Sequence, residues 1–568
     1  MNINDVVFIV LFLVVVTALA IPLGSYMAAV YEGGRTFLSR AIEPLERWLY
    51  RLFGVDPATE MNWKTYALAT VLFTVLGGAL LFVIEVAQGW LPLNPQHLPG
   101  VRWDTAINTA ISFMTNTNWQ SYGGESTMSY FTQMVGLTVH NFLSAAIGMA
   151  ALVAMVRGFA RKTTSLLGNF WVDMTRSVLY ILLPLSIVFS VIFISQGMPQ
   201  TFAPTRAVTT LEGAVQNIAY GPVASQISIK QLGSNGGGFF NANSAHPFEN
   251  PTNLTNFLET VAILLIPMGL VFMFGKMIGN TKQSRAIFIA MLILYVLGLG
   301  VIVWAELQPV HQLQTMGIAG GVNLEGKEMR FGIVKSALWE ESTTVTSNGS
   351  VNAMHDSSAP LAGLVQLINM GLGEIIFGGV GVGLIGMFFH ILLTMFVVGL
   401  MIGRLPEFLG KKLGTFEMVM SVLGLVGPSV AMLALAAVAI ALPIGLAGLN
   451  NPSAHGLSEI LYAYTSTVQN NGSAFAGLGV NVPFYNLTLS ITMLVGRFIV
   501  IIPGLAIAGA VAAKKTVPVS SATFPTTNWL FVAILISVIL IMGGLTFFPV
   551  YTLGPILDHL FLTAGKAF

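Results

Sequence analysis

Ten long apolar runs in this sequence restrict it to one class of fold. Each holds roughly 20 mostly apolar residues, the length an α-helix needs to cross a bilayer. Charged residues make up 9% of the chain, against roughly 25% in a soluble domain. We therefore predict an all-α polytopic membrane protein. Its spanning helices are expected at about 6–28, 65–86, 131–156, 177–197, 258–275, 286–305, 372–403, 417–441, 484–511 and 527–548.

The basic residues predict how these spans are oriented. Seventeen of the 25 Lys and Arg residues lie in the loops that follow odd-numbered spans, seven lie on the other side, and Arg497 lies inside a span. Loops rich in Lys and Arg stay in the cytoplasm. We therefore expect both termini on the outer side of the membrane.

Several function classes are excluded by what the sequence lacks. It has no cysteine, so disulfides and Cys-based metal sites are impossible. A net charge of +1 gives no reason to expect nucleic acid as a partner. The phosphate-loop pattern GxxxxGK[ST] and the string Asp-Lys-Thr-Gly are both absent. If the protein takes part in an ATP-driven process, the nucleotide chemistry belongs to another chain.

A polar Asn-Gly island recurs between the apolar runs. "SNGG" begins at 234, "SNGS" at 347 and "NNGS" at 470, and a divergent form, "TNTNWQSYGG", begins at 115. Successive islands are 118, 113 and 123 residues apart, and each lies between an outgoing and a returning span. This regularity predicts four parallel helix–loop–helix repeats around one axis. Their expected ranges are 65–156, 173–280, 284–403 and 417–511, with extra helices in 1–30 and 526–568.

Each island is preceded by a stretch that can form a short helix, with Asp104 and Ser458 as candidate N-caps of two of them. Such a helix would direct its partly negative C-terminal end at the axis, which favours cations. Four loops meeting there would form rings of backbone carbonyls, which can replace the hydration shell of a monovalent cation. The aligned islands contain no carboxylate. This favours K⁺ or Na⁺ over Mg²⁺ or Ca²⁺.

Four longer strings identify a resemblance to a known family. "TNTNWQSYGGE", "GSNGGGFFNANSAHPFENP", "GLGEIIFGGVGVG" and "GLMIGRLPEFLGKK" resemble KdpA, the potassium-binding subunit of the bacterial Kdp potassium-transporting ATPase, and the likeness covers essentially the whole chain. The resemblance implies four pseudo-symmetric helix–pore-loop–helix repeats around a K⁺-channel-like pore in the bacterial inner membrane. It also implies that K⁺ passes through an intramembrane tunnel to a separate P-type ATPase subunit, KdpB, with KdpC and the small KdpF completing the complex.

The resemblance also implies which residues bind K⁺. Gln120 matches a family position tied to K⁺ affinity. Asn118 stands where the other three islands have glycine, an asymmetry that the family shares. The expected filter residues are Asn116, Thr117 and Asn118; Ser234, Asn235 and Gly236; Ser347, Asn348 and Gly349; and Asn470, Asn471 and Gly472.

Two further features have both a functional and a structural interpretation. Arg497 could lie below the filter and repel K⁺ from a direct route inward, or it could cap helix carbonyls. The glycines at 378, 379 and 381 could mark a helix break at a gate, which the family has in this region, or close helix packing. Glu340 and Glu341 could attract cations to the outer vestibule or simply be solvated.

Two alternative functions remain open. A free-standing Trk- or Ktr-type potassium transporter would need only eight core spans, so the two extra spans and the quoted strings favour a Kdp subunit. A membrane-embedded enzyme is the second alternative. Against it, the sequence has no clustered His/Glu metal set and no GxSxG nucleophile motif.

Overall fold

The computed structural model describes residues 1–310, 317, 321–403, 406–518 and 523–565. Ten of its helices are long and apolar enough to cross a membrane, which confirms the predicted number within these residues. The membrane helices are α1 (Ile3–Tyr31), α3 (Trp63–Trp90), α5 (Thr132–Ala160), α6 (Phe170–Ser195), α8 (Asn253–Met277), α9 (Thr281–Glu306), α12 (Val382–Met401), α13 (Thr415–Ala441), α15 (Pro483–Ala512) and α16 (Trp529–Thr563).

Six shorter helices of ten or more residues lie between them in the described parts of the chain. Four are the short helices expected before the polar islands, and each lies between two consecutive membrane helices. The short helices are α2 (Ser39–Phe53), α4 (Trp103–Met114), α7 (Val223–Leu232), α10 (Ile333–Val345), α11 (Pro360–Gly371) and α14 (Ser453–Val468).

Two small antiparallel hairpins lie in loops of the described residues. In the first, β1 (Arg206–Thr209) pairs with β2 (Val215–Ile218), with Arg206 opposite Ile218. In the second, β3 (Glu407–Phe408) pairs with β4 (Lys411–Lys412). Neither hairpin belongs to the helical bundle that holds the polar islands.

Burial separates central helices from peripheral ones. In α5 and α8, 83% of the most apolar window is buried inside the protein, whereas in α1 the share is 17% and in α16 it is 28%. A helix that is apolar all round must face either a protein core or lipid. The returning helices of the first and second repeats therefore form the centre, and the two extra helices face the bilayer.

Both predicted N-caps are wrong. Helix α4 begins at Trp103 with Arg102 at its N-cap, so Asp104 lies in the first turn and pairs with Arg102. Helix α14 begins at Ser453, and the Ser458 hydroxyl donates to the Ala454 carbonyl inside the helix. Both helices start earlier than their local polar residues suggest, because tertiary packing can extend a helix beyond its best local start.

The seventh predicted span, 372–403, is wrong at its start. Helix α11 ends at Gly371 and α12 begins only at Val382, so the chain is interrupted between them. Gly373 and Gly381 have φ of +91° and +98°, and Glu374 and Phe377 have φ near +50°. Left-handed backbone of this kind cannot continue an α-helix. The glycine-rich stretch is therefore the helix break that one of its two interpretations predicted.

Candidate cation-binding site

Four three-residue loops, here called the triads, follow the four pore helices α4, α7, α10 and α14. They are residues 116–118, 234–236, 347–349 and 470–472, the positions predicted from the repeated islands. The first residue of each triad has left-handed backbone, with φ of 66° at Asn116, 49° at Ser234, 56° at Ser347 and 60° at Asn470. Each loop therefore turns away from its helix axis in the same manner.

The second residue of each triad is also held in an equivalent way. Its backbone N–H donates to the carbonyl five residues earlier, near the end of the pore helix, which satisfies a carbonyl that the helix itself leaves without a partner. The bonds are Thr117 to Ser112 at 3.0 Å, Asn235 to Lys230 at 3.0 Å, Asn348 to Thr343 at 3.2 Å and Asn471 to Ser466 at 2.8 Å.

The third positions bring neighbouring triads into contact. A Cβ added to Gly236 would lie 3.0 Å from the carbonyl oxygen of Asn348 and 3.1 Å from that of Asn471. A Cβ added to Gly349 would overlap the Asn471 carbonyl oxygen, and one added to Gly472 would overlap the Thr117 carbonyl oxygen. Only residues without side chains fit at these points. The second-position carbonyls of Thr117, Asn348 and Asn471 therefore lie against the third-position glycines of neighbouring triads.

The four quarters of the site, each a pore helix with its triad, do not share one backbone conformation. The quarter that differs is not the one that the sequence indicates. Asn118 replaces glycine, yet its φ of 57° is left-handed like those of Gly349 and Gly472. Asparagine tolerates this conformation better than other non-glycine residues do. Gly236 is the exception, because its φ lies outside the left-handed region.

Side chains join the triads into a closed ring. Asparagine and serine side chains donate to atoms of the adjacent pore helix or triad and so brace the loops. The links are Asn116 Nδ2 to the Ser234 carbonyl at 2.9 Å, Asn348 Nδ2 to Gln231 Oε1 at 3.2 Å, Ser347 Oγ to the Asn470 carbonyl at 2.9 Å and Asn470 Nδ2 to Thr117 Oγ1 at 2.9 Å.

Gln120 links the first and second quarters just beyond the triads. Its Nε2 donates to the Gly238 carbonyl at 3.0 Å, and its Oε1 accepts from the Gly238 N–H at 3.0 Å. This two-point contact pairs the two loops as a strand pair would. A residue expected at the ion site is therefore also a brace between two parts of it.

Arg497 lies on a cavity next to the triads. The cavity has a volume of about 60 Å³, and its walls include Ser347, Asn470, Glu374, Gly379 and Arg497. The guanidinium Nη2 donates to the Ser144 carbonyl at 2.8 Å. Arg497 therefore hydrogen-bonds a helix carbonyl, as the structural interpretation predicted, and it also lies beside the cavity that Ser347 and Asn470 of two triads line.

The three candidate gate glycines lie in the break between α11 and α12. Gly379 lines the cavity, and its N–H donates to the Thr346 carbonyl at 2.7 Å. A Cβ at Gly378 would overlap the Glu374 carbonyl, and one at Gly381 would overlap the Gly148 carbonyl. The glycines thus permit both the break and its close packing against the surrounding helices.

A comparison with known families fits this arrangement. The family model described as "KdpA: Potassium-transporting ATPase A subunit" matches residues 10–560. The chain belongs to the KdpA family.

Relatives of this KdpA-family chain match over its full length. The "Potassium-transporting ATPase potassium-binding subunit" of Methylorubrum extorquens is 55% identical over 568 residues, which cover 100% of this chain and 99% of the relative. The protein of that name from Pseudomonas aeruginosa is 54% identical over 562 residues, with 99% and 100% covered. The crystal structure of the potassium transporter TrkH from Vibrio parahaemolyticus is similar with a TM-score of 0.49 and 15% identity, covering 88% of this chain and 97% of that one.

A buried ion pair behind the second triad was not found from the sequence. Lys230 on α7 donates to Asn243 Oδ1 at 2.8 Å and to Glu249 Oε2 at 2.9 Å, and both charged side chains are fully buried. Asn243 in turn donates to the Gly236 carbonyl at 2.7 Å. Together these contacts orient the second triad of the KdpA-family site. The string "NANS" carries no sequence pattern that would have identified Asn243 as its partner.

A second acidic side chain supports the fourth triad. Glu374, in the break before α12, accepts from Asn471 Nδ2 at 2.6 Å and lines the cavity. The carboxyl group therefore lies behind the fourth triad and braces Asn471.

Glu340 and Glu341 do not lie in a vestibule. Both are fully buried on α10, so the vestibule and solvated interpretations are wrong. Glu340 accepts from Gln366 at 3.1 Å and Glu341 accepts from Asn369 at 2.9 Å. These contacts hold α11 against the third pore helix. A glutamate pair in a short polar helix looks exposed in sequence, and only packing reveals its partners.

His455, near the start of α14, lies between two carboxylates from distant parts of the chain, Asp356 and Asp558. His455 contacts Asp356 Oδ1 through Nε2 at 3.0 Å and Asp558 Oδ2 through Nδ1 at 2.9 Å. Burial lowers the pKa of His455, but the hydrogen bonds to these carboxylates and their charges outweigh it and raise the pKa to about 10. An imidazolium, which donates from both nitrogens, fits this geometry.

Proposed function

We propose that this KdpA-family chain is the K⁺-binding subunit of an ATP-driven, high-affinity potassium uptake complex in a bacterial inner membrane. The observation that carries the proposal is the closed ring of four triads. Backbone carbonyls of three triads lie against the glycines of neighbouring triads, and no carboxylate belongs to the ring. Such a site suits a monovalent cation that sheds its water stepwise.

The proposed ligands are the twelve triad residues, with Gln120 at the entrance. The carbonyls of Thr117, Asn235, Asn348 and Asn471 would supply oxygens, because no described residue donates a hydrogen bond to them. The four pore helices would add the negative ends of their dipoles. The side-chain braces would hold the ring at one diameter, which is what discrimination among alkali cations requires.

The proposed path continues into the cavity that Arg497 lines. A cation leaving the triads toward this arginine meets a like charge in a buried setting, where repulsion is strong. Gly378, Gly379 and Gly381 form the proposed gate, since the broken helix can change shape without unwinding α12. K⁺ would then turn aside into an intramembrane tunnel toward the ATPase subunit.

The proposed partners are a KdpB-like P-type ATPase subunit, which would hydrolyse ATP, and KdpC-like and small KdpF-like subunits. Both termini are proposed on the outer side, as the 17-to-7 split of basic residues indicates. The four repeats are proposed to span 65–156, 173–280, 284–403 and 417–511. The same orientation places the triads near the outer surface, where K⁺ enters.

Reconstitution tests this proposal. The purified complex in vesicles should move K⁺ against a gradient into the compartment that holds ATP, so vesicles loaded with ATP should accumulate K⁺. The chain alone should not accumulate K⁺, although it can bind the ion in equilibrium titration. Accumulation by the chain without a partner ATPase would refute the proposal and favour a free-standing Trk- or Ktr-type transporter.

A further inference from the structure

Helix α2 (Ser39–Phe53) has three distinct faces. Successive residues of an α-helix are rotated by about 100°. Residues 40, 47 and 51 therefore fall on one stripe, 45, 48 and 52 on a second, and 46 and 50 on a third. The first stripe is arginine, the second is Leu, Trp and Leu, and the third is Glu and Tyr.

The third face attaches α2 to the protein. Glu46 is buried and accepts from Arg176 Nε at 3.0 Å and from the hydroxyls of Tyr50 and Tyr180, each at 2.7 Å. Arg176 and Tyr180 belong to α6, so this cluster sets the rotation of α2 about its own axis. The orientation of the other two faces follows from it.

The second face is apolar and uncovered by the described residues of this chain. Leu45 is 44% exposed, Trp48 56% and Leu52 58%. Phe53, at the helix end, is 72% exposed. Large apolar side chains on one stripe of a short helix mark a surface that rests against something other than water.

The first face carries positive charge next to this apolar stripe. Arg40, Arg47 and Arg51 are all exposed. Arg47 pairs with Glu43 one turn away. Arg40 and Arg51 have no ion-pair partner among the residues that the structure describes. The surface therefore combines two uncompensated cations with a tryptophan-containing apolar stripe.

We propose that α2 is a binding site for the headgroups of anionic phospholipids in the cytoplasmic leaflet. The apolar stripe of Leu45, Trp48 and Leu52 would lie at the boundary between headgroups and acyl chains, where tryptophan is favoured. The arginines would then lie at the level of the headgroups. Helix α2 lies in the connection between the membrane helices α1 and α3 and packs against α6. The leaflet follows from the orientation proposed above, because positively charged loops face the anionic side.

Fluorescence quenching in the whole reconstituted complex tests this site. Brominated phosphatidylglycerol and brominated phosphatidylcholine are added in turn at equal mole fraction. Because the chain has nine tryptophans, the signal of Trp48 is isolated by subtracting the Trp48→Phe variant. The test variant is Arg40→Gln/Arg51→Gln. Its matched control is Lys282→Gln/Arg285→Gln, which removes two exposed charges at the start of α9, near another loop on the same proposed side.

We expect the anionic lipid to quench Trp48 more strongly than the zwitterionic one, with a preference of roughly fivefold for each uncompensated arginine. The double arginine variant should abolish this preference, and the control should keep it. Equal quenching by both lipids, a preference that survives in the arginine variant, or no quenching by either lipid because a partner subunit covers α2 would each overturn the inference. The readout needs neither K⁺ nor ATP, so its failure is separate from a failure of the proposed transport function.

Discussion

Gly236→Ala is the perturbation whose effect follows most directly from the geometry of the triads. The added Cβ would lie 3.0 Å and 3.1 Å from the carbonyl oxygens of Asn348 and Asn471, and 3.1 Å from the Gly349 Cα. Ordinary contacts of this kind are about 3.5–4.0 Å. The neighbouring carbonyls must therefore shift by a few tenths of an ångström. The backbone accepts alanine here, because Gly236 is not left-handed.

The size of the expected loss in K⁺ affinity follows from the extra methyl group. Inserting one methyl group into a tightly packed site costs about 1–3 kcal/mol. In the empty protein the carbonyls can relax outward, but K⁺ binding draws them back against the methyl group. Most of the cost therefore falls on the ion-bound state, and K⁺ affinity should fall by roughly 5- to 150-fold. A widened ring should also discriminate less against Rb⁺.

Equilibrium titration of K⁺, Rb⁺ and Na⁺ into the purified complex measures both effects. Gly300→Ala is the matched control, because a Cβ at this glycine of α9 meets nothing within 4 Å. The control should assemble and bind K⁺ as the unmodified protein does. An assembled Gly236→Ala complex with unchanged K⁺ affinity and unchanged ion ranking would refute the carbonyl ring.

Three further predictions address other parts of the site. Gln120→Arg should weaken K⁺ binding roughly tenfold, since a charge near the ion costs about 1–2 kcal/mol. Gln120→Leu, which loses only the Gly238 contacts, should weaken it less, and equal losses in titration would assign the effect to bracing alone. Gly349→Ala should prevent assembly, because its φ is +81° and the new Cβ overlaps Asn471, so a monodisperse complex on gel filtration would contradict the geometry. His455→Gln should lower the melting temperature most at acidic pH. The pKa of His455 in the folded protein is about 10, above the unfolded value of about 6.5. The protonated side chain therefore stabilises the fold fully below pH 6.5, and this stabilisation is lost as the pH rises through 10. An equal loss at pH 6 and pH 10 would exclude the imidazolium.

The sequence predicted the triads well because three independent patterns coincide there. Apolar runs of spanning length, a spacing of 113 to 123 residues and small polar turns each have a local signature. Asn116, Ser234, Ser347 and Asn470 share a left-handed φ, and Asn, Ser and Gly are residue types suited to such turns. No long-range information is needed to place them.

Contacts between distant segments could not be predicted in this way. Lys230 and Glu249 form a buried pair, and Asn243 joins them to Gly236, but lysine and glutamate in a polar loop look solvent-exposed in sequence. Glu340 also looked solvent-exposed in the sequence, but it is buried in the structure. Burial of a charge is stable only with a partner in place, and the partner is chosen by packing.

The sequence alone determined the membrane class, the number of spans and the four islands, because bilayer thickness and turn chemistry act on local composition. Tertiary structure alone decided where α12 begins, which quarter departs from the common backbone and how the quarters brace one another. Gly236 shows the physical reason. The space for a side chain at this position is limited by the carbonyls of Asn348 and Asn471, which lie more than a hundred residues away in the chain and 3.0–3.1 Å from the place of its missing Cβ.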